Sequence, residues 1–203
     1  MKIICIGRNY LEHAKELNNA LPEVPLYFMK PDTAILRNNS PFFYPAFSKN
    51  LHYELEVVLK ITRLGRNISE KFAHRYYTEI GLGIDFTARD LQQKCIEKGW
   101  PWEMAKSFDN SAPISDFIKK SELGDVYNLD FRLEKNGEVV QHGNTKDLIF
   151  KFETLISYVS RFVTFRTGDL MFTGTPAGVG PVAIGDRLKA YLNDTLMLDF
   201  FVK

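Results

Sequence analysis

The sequence predicts a β-rich α+β fold with short helices on its periphery. Residues 53–62 alternate, with Tyr53, Leu55, Val57, Leu59 and Ile61 on one face and Glu54, Glu56, Val58 and Lys60 on the other, the period of a strand. Asn136-Gly137 stands between Phe131-Arg132-Leu133-Glu134 and Val139-Val140, the turn dipeptide of a type I′ hairpin. Strand-like runs outnumber helical ones, and no regular βαβ alternation appears.

Taken in order, Ile3–Ile6 is a short strand closed by Gly7, and Asn9 N-caps a helix running to Leu17. The breaker-rich Asn18-Asn19-Ala20-Leu21-Pro22 that follows suits a mobile helical flap. Leu26–Met29 and Ala34–Leu36 read as short strands. Ser69 can cap a helix through Tyr76, and a strand of small and apolar residues then runs to Asp85. Asp90–Lys98 is helical and stops at Gly99. Phe150–Phe162 forms a helix with an apolar stripe, and the tail holds strands near Leu170–Phe172, Arg187–Leu192 and Leu196–Val202. No repeat, linker or low-complexity segment breaks the chain, so residues 1–203 read as one domain.

Bulk properties narrow the functional classes. A chain of 203 residues can bury a substantial core. A net charge of +1 gives no footprint for nucleic acid and no acidic tail. Cys5 and Cys95 lack metal-ligand or redox spacing and read as reduced, buried residues. The apolar stretch at the N-terminus is too short for a signal peptide, and no run approaches the ~20 apolar residues of a membrane span. A cytoplasmic protein without a membrane partner is expected.

Three acids stand out. Glu54 and Glu56, two apart on a strand, share a face with Cα atoms ~6.6 Å apart, and Asp85 interrupts an apolar strand end in Gly83-Ile84-Asp85-Phe86. Spacing alone leaves a solvated face open for the glutamates and a turn or cap role open for Asp85. Three carboxylates on neighbouring strands would otherwise form a hard, oxygen-rich site suited to Mg²⁺ or Mn²⁺. His13 and Glu16, three apart on a helix, are either an ordinary surface pair or an imidazole oriented to take a proton from water. Arg8, Lys30, Arg89 and Lys106 are cations near turns. The Thr173 to Gly180 turn is glycine-rich but lacks the Lys-Ser/Thr and the helix of a P-loop.

Together these segments resemble the fumarylacetoacetate hydrolase superfamily along nearly the whole chain. The resemblance rests on Gly7-Arg8-Asn9-Tyr10 with His13 and Glu16, on Lys30-Pro31, on Glu54-Leu55-Glu56, and on Asp85 through Gln92. It continues in Lys106-Ser107-Phe108-Asp109, Gln141 with Gly143-Asn144-Thr145, Gly168-Asp169 and Thr173 to Pro181. Gly99-Trp100-Pro101-Trp102 leading into Lys106 is most similar to the acylpyruvase and oxaloacetate decarboxylase branch. The resemblance implies a mixed β-sandwich roll, a homodimer, and Mg²⁺ or Mn²⁺ held by Glu54, Glu56 and Asp85. It also implies a flap carrying His13 and Glu16. The chain starts almost at Gly7, so the extra N-terminal domain of fumarylacetoacetase is expected to be missing, which points away from that enzyme's substrate. Phe86, bulkier than usual for the family, together with Trp100 and Trp102, is expected to shape the pocket.

The implied substrate is a 2-oxo acid. Its anion would be met by Lys106, Arg8, Gln92 and the backbone around Thr175, while His13, oriented by Glu16, would act as general base. Hydrolysis of acylpyruvates, with oxaloacetate decarboxylation as a possible companion, is the reaction expected. An isomerase or decarboxylase of 2-hydroxy-dienoates, and a non-catalytic protein that binds 2-oxo acids, are the rivals.

Overall fold

A computed structural model describes residues 1–16 and 21–203 of the chain. The mobile flap end expected at Leu17–Ala20 lies outside the described residues. The centre of the fold is a six-stranded sheet in the order Leu26–Lys30, Ile3–Gly7, Leu170–Phe172, Leu55–Ile61, Tyr77–Ile84, Ile118–Lys119. It is mixed: Ile3–Gly7 pairs parallel with Leu170–Phe172, and every other neighbour is antiparallel. A four-stranded antiparallel sheet, in the order Glu138–Asn144, Asp130–Lys135, Arg187–Leu192, Thr195–Phe201, packs over it. Phe131, Leu133, Leu188, Ala190 and Phe200 from this sheet share one core with Leu55, Val57, Leu59, Leu82 and Ile84.

The hairpin at Asn136-Gly137 forms as its sequence dictates. Both residues have positive φ, 56° and 91°, the requirement of a type I′ turn. Helices lie outside the sheets. Phe152–Ser160 buries Phe152, Leu155, Ile156 and Val159, the apolar stripe expected of it. Arg89–Lys98 ends on Gly99 at φ 65°, a left-handed C-cap. The helix starting after Ser69 is short, Glu70–Ala73, and Ser69 makes no side-chain cap.

The alternating run at 53–62 is not one strand. Leu51–Tyr53 pairs with Gly180–Pro181 and Thr87–Ala88 in a small three-stranded sheet, whereas Leu55–Ile61 is central in the six-stranded one. Glu54 sits at the junction between them. Alternation cannot reveal this break, because side chains keep their two-residue period through it. Leu55–Ile61 is also covered on both faces: Val57 and Leu59 face the main core, and Val58 joins a second cluster with Ile3, Cys5 and Phe172. A solvated face is thereby excluded for Glu54 and Glu56, which are 5% and 1% exposed.

Candidate active site

The sheet architecture places the three carboxylates before any side chain chooses a rotamer. Leu55 pairs with Ile84, and the Asp85 N–H donates to the Glu54 carbonyl at 2.8 Å. Glu54, Glu56 and Asp85 therefore converge where two antiparallel strands end side by side. One oxygen from each lies within 4.8 Å of the others, and all three residues are buried.

Buried acids this close require positive charge, and three cations surround them. Lys106, on the short helix Glu103–Lys106, is 3% exposed. Its Nζ donates to Glu54 Oε2 at 2.7 Å, to Asp85 Oδ2 at 2.8 Å and to Thr87 Oγ1 at 2.5 Å. Arg89 pairs with Glu54 Oε1 and donates to Gln92 Oε1 at 2.7 Å. Lys30 stands 2.8 Å from Asp85 Oδ1 and donates to the Lys106 carbonyl and, at 2.9 Å, to Ser111 Oγ. Its contact with Oδ1 is one of charge, off the hydrogen-bonding direction, and this buried oxygen has no hydrogen bond.

The charges fall unevenly on the acids. Burial would raise Glu54, but Lys106 and Arg89 outweigh it and hold its carboxyl well below the usual range. Glu56 goes the other way. Burial, then the negative charges of Asp85 and Glu54, push its carboxyl well up, and the Gly174 N–H at 2.7 Å only partly offsets them. A hard divalent cation would supply the missing positive charge. All-oxygen donors, their spacing and the unbonded Asp85 oxygen fit one.

This arrangement fixes the sign of a pH dependence. Folding without the ion takes up a proton at Glu56, so that contribution to stability falls as pH rises above ~4.3. Cation binding must release that proton. Mg²⁺ or Mn²⁺ affinity is therefore expected to increase with pH until Glu56 is ionised, with proton release visible as buffer-dependent binding heat. Binding that is independent of pH and of buffer ionisation would contradict the raised Glu56.

The remaining walls enclose a cavity of about 840 Å³. His13, on the helix Leu11–Glu16, is 5% exposed, and its Nδ1 lies 3.2 Å from Glu16 Oε2. A carboxylate only accepts, so Nδ1 is the donor, and in the neutral imidazole the lone pair lies on Nε2. Glu16 also accepts the Gly178 N–H, at 3.1 Å to Oε1. Arg8, Gln92 and Thr175 line the same cavity. Arg8 does so from a left-handed backbone, φ 58°, a strained conformation of the kind found at functional sites.

Several expectations change on the structure. Phe86 does not shape the cavity: it is fully buried and stacks on Phe42, ring centroids 4.2 Å apart. Of the two tryptophans, Trp102 is a wall and Trp100 is not. Asn9 does not cap the first helix. Its Nδ2 donates to the Thr173 and Phe150 carbonyls and its Oδ1 accepts the Phe150 N–H. Sequence reasoning named Lys30, Arg89 and Gln141 but gave them no part in the site. Lys30, ending an apolar strand before a proline, was the one with a usable signal.

The turn after Leu170–Phe172 depends on Gly174. Its φ is 105°, and a Cβ there would lie 2.7 Å from Asn9 Cβ. Gly174→Ala is expected to cost about 1–3 kcal/mol of stability, read as a lower melting temperature. A Tm equal to that of the parent protein would mean the turn relaxes freely.

A deep pocket holding buried acids that fit a divalent-metal site, an oriented histidine and converging cations has the make-up of an enzyme site on a mixed β-sheet scaffold. The chain belongs to the fumarylacetoacetate hydrolase family: the fumarylacetoacetate (FAA) hydrolase C-terminal model matches residues 2–198. The Bos taurus mitochondrial oxaloacetate tautomerase FAHD1 is 43% identical over 201 residues, 99% of this chain and 91% of that protein. The Escherichia coli oxaloacetate tautomerase YcgM is 42% identical over 92% of this chain and 86% of its own length. Among solved structures, fumarylpyruvate hydrolase from Pseudomonas aeruginosa, in complex with Mn²⁺ and pyruvate, superposes with a TM-score of 0.94 at 36% identity, over 100% of this chain and 89% of that one. Relatives also include an oxaloacetate decarboxylase from Dictyostelium discoideum and a 5-carboxymethyl-2-hydroxymuconate delta-isomerase from Mycobacterium smegmatis. The β-rich fold expected from the sequence is the fold of this family, and the chain is an enzyme of it. No helix among the described residues is long and apolar enough to cross a membrane.

Proposed function

We propose that this enzyme hydrolyses acylpyruvates to pyruvate and a carboxylate, and that the same pocket decarboxylates oxaloacetate. The observation that carries the reading is His13, its Nδ1 held by Glu16, facing the cavity floored by Glu54, Glu56 and Asp85. Mg²⁺ (Mn²⁺ is chemically equivalent here) held by those three acids would supply Lewis acidity toward a 2-oxo acid. The enzyme is further proposed to work as a homodimer, as the family resemblance implies, and in the cytoplasm.

The chain's own groups supply the rest. Arg8, Gln92 and Thr175 bind and orient the substrate anion from the cavity walls, and burial keeps that attraction strong. His13 Nε2 takes a proton from water as the oxygen attacks the C4 carbonyl. The C3–C4 bond then breaks, its electron pair passing to an enolate of pyruvate, and the imidazolium returns the proton to C3. Lys106 provides fixed positive charge beside the developing enolate. Loss of CO₂ from oxaloacetate needs the enolate-stabilising groups but not the attacking water.

A second reading is favoured by the bovine and E. coli relatives: keto–enol tautomerisation of oxaloacetate, a proton moving between C3 and the 2-oxo oxygen through the same enolate. Acetylpyruvate absorbance, followed after EDTA treatment and again after Mg²⁺ is restored, tests the first reading. Mg²⁺-dependent loss yielding pyruvate and acetate is expected. No turnover with metal bound, alongside accelerated decay of oxaloacetate enol, would transfer the proposal to tautomerisation.

A further inference from the structure

We propose that Gln141 is a positioning residue that turns the Thr175 hydroxyl into a hydrogen-bond donor aimed at the substrate anion. The inference rests on the 2-oxo-acid reading above.

Gln141 is 1% exposed, belongs to the strand Glu138–Asn144 and is not part of the cavity wall. Its Oε1 accepts the Leu55 N–H at 2.8 Å, and its Nε2 donates to Thr175 Oγ1 at 2.8 Å and to the Pro176 carbonyl at 3.0 Å. Two of these partners fix the amide's orientation. A backbone N–H only donates and a carbonyl only accepts, so the flipped amide would lose both bonds. Nε2 therefore faces Thr175, and Thr175 Oγ1 must accept.

An accepting hydroxyl still carries its own proton. Thr175 is 3% exposed and lines the cavity, and its hydroxyl forms no other hydrogen bond among the described residues. The amide occupies one side of the oxygen, so the O–H is left to point at the cavity. Without Gln141 the Thr175 hydroxyl would lose the donor that fixes its rotation, and the Pro176 carbonyl would lose its side-chain donor. The same amide grips the N–H of Leu55, the residue between Glu54 and Glu56. Gln141 thus ties an anion donor to the carboxylate floor through a single rigid side chain.

Oxalate, a planar dicarboxylate that needs no turnover to bind, is the probe. Its affinity for the Mn²⁺-loaded enzyme would be measured by calorimetry for the parent protein, Thr175→Val, Gln141→Met and the double variant. Each single change is expected to weaken oxalate about tenfold, about 1.4 kcal/mol, and the double variant is expected to be no weaker than Thr175→Val alone. Thr175→Ser, which keeps the hydroxyl, should bind like the parent. If Gln141→Met fails to fold, Gln141→Glu replaces it. That side chain keeps the acceptor for Leu55 but, when ionised, draws the Thr175 proton away from the cavity, so the same loss is expected. Undiminished loss from Gln141 changes in the Thr175→Val background would show a mere brace and overturn the proposal, as would unchanged affinity in Thr175→Val. Failure of the hydrolase reading would appear separately, in the acetylpyruvate assay of the parent enzyme.

Discussion

Glu56→Gln is expected to abolish turnover of acetylpyruvate and of oxaloacetate together, while making the metal-free protein more stable. Glutamine keeps the acceptor that Gly174 uses and removes one of three buried acids. Burial and the other two acids already press Glu56 toward its neutral form, so a neutral isostere spares the cost of neutralising it rather than breaking a favourable pair. The divalent ion, in contrast, loses a carboxylate ligand, and its affinity should fall on the order of 100-fold or more, given that even outer partners are worth 10–100-fold. Thermal melting in EDTA, Mn²⁺ titration and the two activity assays make the test. Normal metal content with normal activity would remove Glu56 from the ligand set. A lower melting temperature in EDTA would refute the electrostatic account of its environment.

His13→Ala should separate the two reactions. General bases contribute about 10²–10⁴-fold, and acylpyruvate hydrolysis is expected to fall by that factor because water must be deprotonated as it attacks. Oxaloacetate decarboxylation should fall by less than about tenfold, since it requires no attacking water. The pocket's acids and Lys106 are untouched by the change, so metal affinity should hold. Equal losses in both reactions would sink the base role. A loss of metal affinity would instead mean that the helix supports the floor of the pocket.

How much of this was legible in the sequence depends on how far apart the partners lie. The hairpin at Asn136-Gly137, the C-cap at Gly99 and the three acids were readable, because turn chemistry and an acid in an apolar run are local signals. The convergence of Asp85 on Glu54 was legible only through the family resemblance, since it depends on antiparallel register between Leu55–Ile61 and Tyr77–Ile84. Lys30 and Arg89 were visible only as cations near turns. Their ion pairs with Asp85 and Glu54 bridge 55 and 35 positions of chain. Asn9 misled for a related reason: it has the chemistry of a helix cap, and distant carbonyls at Phe150 and Thr173 claim it first. Pocket walls were the least legible. Phe86 follows Asp85 directly, yet in the link between Tyr77–Ile84 and Thr87–Ala88 its ring enters the aromatic core with Phe42 and Phe200.

The backbone bond from Asp85 to Glu54 carries a consequence for how such proteins diversify. Acids placed by sheet register keep their mutual positions wherever that register and the acids themselves are retained. The elements proposed to choose the reaction are of another kind: the six-residue helix bearing His13, the helix bearing Arg89 and Gln92, and the turn bearing Thr175. Those peripheral pieces can drift without endangering the scaffold. The names its relatives carry span tautomerisation, decarboxylation, hydrolysis and isomerisation, and a changed rim over a register-fixed floor is a route by which such a spread could arise.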